Sequence, residues 1–227
     1  MEEAYRLRRD LPEARYVSGG TEVLRLNGSV PDATALIDVS AFLSPEIEKK
    51  HDAIIIGAGA TFQDLIDSPV IPLWLKEACG YMSSLALRMQ ATIGGNIARL
   101  GDDSYLIPVL LAAGARLKTY GNRGMLEGEL SEYVRNGGSR YTVLGLTIPA
   151  DEAVSSARFS RTAASHSAVN MALSKRGLFS AVKGGGIFFS LEEALGADIA
   201  DDITGSAQYK KYLIRTEKER LEEVLND

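Results

Sequence analysis

Two short segments hold most of the chemistry this chain offers. Val17-Ser18-Gly19-Gly20-Thr21-Glu22 and Thr92-Ile93-Gly94-Gly95-Asn96-Ile97 each set a glycine pair beside hydroxyl or amide side chains. Glycine lets a backbone approach a ligand closely and turn its N–H groups inward as an anion nest. Thr21, Thr92 and Asn96 add side-chain donors. A diphosphate needs several donors, because its charge is costly to desolvate and each charge-assisted bond contributes roughly 1.5–3 kcal/mol. Two such loops can clamp one dinucleotide. A third segment, Gly57-Ala58-Gly59-Ala60-Thr61-Phe62, follows a strand-like run and precedes a helix-like one. Phe62 stands where a dinucleotide fingerprint needs its third glycine or alanine, so this segment reads as a tight strand-to-helix turn. No glycine loop runs into Lys-Ser or Lys-Thr, which excludes a Walker site.

Other reactive residues are scarce. One cysteine, Cys79, and two histidines, His51 and His166, exclude an internal disulfide and a Cys-ligated iron–sulfur cluster, and argue against a His-based metal centre. Redox chemistry here needs an organic cofactor. Ser165-His166-Ser167 has no carboxylate at a recognisable spacing and reads as a polar strand end rather than a nucleophile. Cys79 reads as a buried, inert thiol and Trp74 as core. Over 227 residues, 45% hydrophobic and 24% charged is a globular balance. A net charge of −5 argues against a nucleic-acid clamp. No apolar run approaches the ~18–20 residues of a membrane span. The opening Met1-Glu2-Glu3-Ala4-Tyr5-Arg6 lacks the pattern of a signal peptide, so the expected compartment is the cytoplasm.

The elements that must position the loops follow from periodicity and caps. Residues 2–10 read as a helix. Arg15-Tyr16-Val17, residues 35–39 and residues 53–57 read as strands, with a helix expected to start at Glu22. Thr61 caps a helix from Phe62, and Pro72 opens another through Met82. Thr92 to Ile97 reads as a turn. Asp103 or Ser104 caps a helix over 105–113 that tolerates Pro108 only in its first turn. Residues 116–120 and 141–144 read as strands. The pattern breaks near Pro149-Ala150-Asp151-Glu152. Beyond it come strands at 156–160 and 168–173, a turn at Gly184-Gly185-Gly186, and an amphipathic helix from Ser206 to Leu225 with Tyr209, Leu213, Leu221 and Leu225 on its apolar side. Strands and helices without strict βα alternation make the class α+β.

SGGTEV, then TIGGNI, then Pro108-Val109-Leu110-Leu111-Ala112-Ala113-Gly114-Ala115 together resemble the FAD-binding (medium) subunit of the molybdenum hydroxylases, the family of xanthine dehydrogenase and carbon monoxide dehydrogenase. Ile56 to Thr61 between the loops fits as well. So do Arg158-Phe159-Ser160-Arg161-Thr162-Ala163 and the Ile203-to-Leu213 segment, so the resemblance runs nearly the whole chain. It implies a vanillyl-alcohol-oxidase (PCMH)-type FAD-binding fold over 1–150, in subdomains of about 1–50 and 51–150. A small, shortened C-terminal domain is expected at 151–227. By the same resemblance, Gly19, Gly20 and Thr21 meet the pyrophosphate of FAD, with Ser18 and Glu22 in the same loop. Thr92, Gly95 and Asn96 meet it and the ribityl chain from the second loop, with Ile93 and Gly94. Tyr105 and Leu144 fall near the isoalloxazine. No catalytic side chain is expected.

The resemblance has departures. The family carries a carboxylate nine residues after the Asn of TIGGN, where this chain has Tyr105, with Asp102 and Asp103 out of register. A lysine that often follows the Phe of the C-terminal segment is Ser160 here. The chain starts inside the usual first helix, and Lys175 to Asp198 looks short of several elements. The implied role is an electron-transfer subunit of a xanthine dehydrogenase-like complex. It would work with an iron–sulfur small subunit, a molybdopterin large subunit, and NAD(H) or another acceptor. The competing readings are an interaction subunit that has lost its flavin, and a flavin reductase of cell-wall precursor synthesis on the same fold.

Overall fold

The computed structural model describes residues 1–24, 35–138 and 141–226. Helix α1 (Glu2–Asp10) leads into β1 (Arg15–Val17), which pairs in parallel with β2 (Leu36–Asp38), Tyr16 opposite Ile37. After the glycine pair the chain turns at Thr21 to Leu24. The remainder of the helix expected from Glu22 lies outside the described residues.

The next stretch builds an antiparallel sheet with helices on it. In chain order it holds β3 (Ile47–Lys50), β4 (Ala53–Gly57), α2 (Phe62–Asp67), α3 (Leu73–Gly80), α4 (Leu85–Arg88), α5 (Ile93–Arg99), α6 (Leu106–Ala112), β5 (Arg116–Gly121), β6 (Gly124–Glu129), α7 (Leu130–Arg135) and β7 (Thr142–Pro149). The sheet order is β3-β4-β7-β5-β6. Local chemistry explains the starts. Thr61 Oγ1 accepts from the Asp64 N–H while the Asp64 carboxylate accepts from the Thr61 N–H, a complete capping box. Ser104 Oγ accepts from the Ile107 N–H at the head of α6, where Pro108 sits in the first turn, so its missing N–H costs nothing. Ile54, Ile56, Phe62, Leu65, Leu75, Ile93, Leu106 and Leu110 fill one core with almost no exposure.

The C-terminal stretch is a second antiparallel sheet: β8 (Ser155–Ser160), β9 (Ser167–Ser174), β10 (Gly177–Val182) and β11 (Gly186–Phe188), in the order β11-β10-β9-β8. Helices α8 (Leu191–Gly196) and α9 (Ala207–Asn226) follow. All eight residues of β9 are buried. Helix α6 packs against this strand, and so does α9. That is why SAVNMALS lacks the alternation of a half-exposed strand. Polar ties lock this sheet to the first core: Ser174 Oγ donates to the Ala112 carbonyl at 2.7 Å, Asn170 Nδ2 to that of Asp103 at 3.0 Å, and Trp74 Nε1 to that of Glu152 at 3.1 Å.

Several expectations change. Thr92 to Ile97 is not a turn: Thr92 caps α5, and both glycines lie in its first turn. On α9, Leu213, Ile214 and Leu221 are buried and Leu225 packs beside them, but Tyr209 is exposed. Its place is taken by Lys210, whose side chain is fully buried; the ammonium donates to the carbonyls of Lys183 at 2.8 Å and Ala200 at 3.0 Å and pairs with Asp202 at 3.0 Å. A fully partnered ammonium is tolerated where an unpaired one would be expelled. Cys79 is buried in α3, and burial pushes its thiol up to about 12, the inert state expected of it.

Candidate functional site

The two glycine segments meet. A β-carbon on Gly19 would lie 1.7 Å from the Gln90 carbonyl oxygen, so the first loop rests on the backbone leading into the second. Gly20 holds φ +70, the left-handed conformation that a side chain disfavours. Across from it, Thr92 Oγ1 accepts from the Gly95 N–H at 3.2 Å and fixes the first turn of α5. Gly94 packs on Ala58, 2.5 Å from the β-carbon it lacks, which is what the Gly57-to-Phe62 turn is for. Gly95 differs: an added β-carbon meets only Thr92 Oγ1, at 3.0 Å, and otherwise opens into the cleft.

That cleft has a volume of about 750 Å³, within the range of small-molecule sites. Ser18, Gly19, Gly20, Thr21, Glu22, Thr92, Gly94, Gly95, Asn96 and Tyr105 all line it, from stretches seventy residues apart. Ile93 and Leu144 do not. Ile93 is fully buried in the first core because it is the inward residue of the first turn of α5. Leu144 packs against that core while its carbonyl accepts from the Ala58 N–H; Tyr141, Thr142 and Val143 line the cleft instead. Asn96 Oδ1 accepts from Ser104 Oγ at 2.9 Å, which sets the orientation of its amide.

Side chains that sequence spacing did not reveal complete the wall. Asp103 is nearly buried. Its Oδ1 lies 2.6 Å from Arg99 Nη1, and its Oδ2 lies 2.5 Å from His166 Nδ1 and 3.8 Å from Lys183 Nζ. Burial by itself would raise its carboxyl, but the hydrogen bond and charge of Arg99, with Lys183 and His166, outweigh this and hold it at about 2. The carboxylate missing at Tyr105 is therefore present in the cleft, two residues earlier. His166, expected to be a polar strand end without a carboxylate, has one 63 residues away, on the turn between α5 and α6; a contact between two distant loops leaves no mark in local spacing. Asp102 pairs with Lys183 at 2.8 Å and accepts from the Gly184 N–H. Arg99 Nε reaches Glu22 at 3.1 Å. Arg158 is anchored by Ser167 Oγ at 2.9 Å and the Ser165 carbonyl at 2.6 Å, and lies 5.8 Å from the Tyr81 ring centroid. Burial lowers its guanidinium from the usual range. The Tyr105 ring meets those of Phe62 and Tyr81 edge-on, at 6.1 and 6.2 Å. Burial raises its phenol, so Tyr105 is a neutral aromatic wall.

The donor set suits an anionic, aromatic dinucleotide. Residues of both glycine segments line the cleft, Thr21 and Thr92 among them. Arginines supply positive charge, tyrosines supply flat apolar surface, and at Gly95 the missing side chain leaves room.

Comparisons with known proteins agree. The family described as the FAD binding domain in molybdopterin dehydrogenase matches residues 1–151. The chain is 36% identical over 115 residues to the uncharacterized protein YgfM of Escherichia coli (strain K12), a stretch that is 51% of this chain and 44% of that protein. It is 29% identical over 129 residues to the putative xanthine dehydrogenase FAD-binding subunit XdhB of the same organism, covering 54% of this chain and 44% of XdhB. The chain thus spans under half the length of these relatives. Its fold superimposes on a chain of the carbon monoxide dehydrogenase from Hydrogenophaga pseudoflava that lacks the Mo-pyranopterin moiety, with TM-score 0.83 at 19% identity, over 98% of this chain and 93% of that one. With well over half of its residues matched, this chain belongs to the FAD-binding domain family of the molybdopterin dehydrogenases, and FAD is its cofactor.

Proposed function

We propose that this chain is the electron-transferring FAD component of a xanthine dehydrogenase-like molybdenum hydroxylase. Residues 1–150 would be its FAD-binding domain and 151–227 a C-terminal domain against it. The observation that carries the reading is the convergence of both glycine segments on one cleft. FAD, when bound, supplies the ability to accept electrons singly and release them as a pair. The chain's own part is binding and placement. The first loop and the head of α5 offer N–H and hydroxyl donors to the pyrophosphate. Tyr81 and Tyr105 present aromatic walls, and Arg158 stands nearby with its guanidinium held by Ser165 and Ser167. Electrons must come from elsewhere, since one cysteine and two histidines make no iron–sulfur relay. Partner chains carrying iron–sulfur clusters and molybdopterin fit that need, with NAD⁺ or another acceptor taking the pair. The intact cleft favours this over an interaction subunit that has lost its flavin.

The test is a thermal melt of the flavin-stripped chain with FAD, and with NAD⁺ as control. Saturation at a hundredfold above Kd should add about 2.7 kcal/mol of stability with FAD and nothing comparable with NAD⁺. A melt unchanged by excess FAD overturns the reading.

A further inference from the structure

Glu22 presents a puzzle for a cleft that accepts a diphosphate. It lies in the first glycine segment and lines the cleft, where a carboxylate would repel the ligand. The structure engages it elsewhere: its Oε1 is 3.1 Å from Arg99 Nε. The same guanidinium holds Asp103 Oδ1 through Nη1 at 2.6 Å. Arg99 ends α5, the helix whose first turn is the second glycine segment. From within the cleft wall it therefore links the first glycine segment to the helix that carries the second.

The bridge is built rather than incidental. A β-carbon on Gly101 would fall 2.1 Å from Arg99 Nη1 and 2.9 Å from Asp103 Oδ1, so the glycine leaves room for the pair. Side-chain exposure is 27% for Arg99 and 4% for Asp103, far from the freely solvated pairs that contribute little. Asp103 is also fixed from the C-terminal sheet by His166 and Lys183. The first loop is thus tied, through Arg99 and Asp103, to the rest of the cleft wall.

We propose that Arg99 is a positioning residue: it neutralises Glu22 and clamps the first glycine loop at the spacing from α5 that FAD requires. This rests on the FAD-binding reading above. Removing Arg99 has two consequences of the same sign. The loop loses its tether, and Glu22 and Asp103 lose the positive charge between them. Lysine restores the charge but cannot reach both carboxylates as a planar fork does.

The test measures FAD binding to the stripped full-length chain by flavin fluorescence, at low and high salt, for wild type, Arg99→Met, Arg99→Lys, Glu22→Ala and the double variant Arg99→Met/Glu22→Ala. Arg99→Met should weaken binding about tenfold or more. Arg99→Lys should recover part of that loss. The double variant should bind better than Arg99→Met alone, because the uncompensated carboxylate is gone. The penalty of Arg99→Met should shrink at high salt. Glu22 is 42% exposed and already neutralised by Arg99, so Glu22→Ala removes the tether with little relief of charge and should weaken binding about threefold or more even if Arg99→Met fails to fold. FAD affinity within twofold of wild type in Arg99→Met, or in Glu22→Ala where Arg99→Met is unfolded, overturns the inference and leaves the FAD reading standing. A wild-type chain that takes up no FAD overturns both.

Discussion

The two Gly-Gly pairs look alike as dipeptides and answer different demands. In the first, Gly19 is required by the protein's own backbone, since a β-carbon would sit on the Gln90 carbonyl, and Gly20 is required by its positive φ. In the second, Gly94 is required by Ala58, but Gly95 faces the cleft with only Thr92 Oγ1 nearby. Three of the four glycines serve the fold. At Gly95 the protein itself leaves the position open toward the cleft, and the FAD-binding reading makes the ligand the neighbour that would forbid a side chain. A glycine motif is therefore not one kind of evidence, and its members separate only when the surroundings of each missing β-carbon are known.

The largest effect should come from Gly19→Ala. Backbone against backbone has no rotamer to yield, so the flavin-free chain should lose about 3 kcal/mol or more, read by chemical denaturation. A loss under half of that would mean the two loops separate easily, and would break the comparison at its first member.

Gly95→Val should do the reverse. FAD binding should weaken by roughly a hundredfold through occlusion of the cleft, while the flavin-free chain changes by less than about 1 kcal/mol, since valine suits a helix no worse than glycine. Equal flavin retention in mutant and wild type would remove α5 from the site.

Gly20→Ala should have the smallest effect. The left-handed conformation costs a side chain roughly 1–2 kcal/mol, and the contact it would make, 2.9 Å from Leu24 Cδ1, is with a flexible side-chain end. Denaturation midpoints of Gly20→Ala and Gly19→Ala measured side by side would sharpen the distinction between a strained backbone and a blocked one. If Gly20→Ala proved the more damaging, φ rather than contact would rule this loop.

Much of the local architecture was legible. Thr61 and Asp64 announce the start of α2, because a capping box needs only residues three apart. Ser206 heads α9 for the same reason: its Oγ accepts from the Tyr209 N–H. The stretch from Thr92 reads as a turn because Gly-Gly-Asn is poor helix sequence by intrinsic preference. Burial of Ile93 and Ile97 and the seat of Gly94 on Ala58 override that preference. Tyr209 was assigned to the apolar face of α9 by its spacing from Leu213, yet it is Lys210 that is buried, because carbonyls of Lys183 and Ala200 await its ammonium.

By itself the sequence determined two glycine pairs beside threonine and asparagine, a local composition that spacing can reveal, and with it the family resemblance that names FAD. It also determined that no iron–sulfur relay resides on the chain, because ligands can be counted. Only the tertiary structure decided what surrounds those segments. Asp103 meets His166 across 63 residues, and Arg99 spans from Glu22 to Asp103, because packed elements bring side chains from separate segments to between 2.5 and 3.1 Å. Charge pairing of that kind depends on position in space, and no periodicity along the chain encodes it.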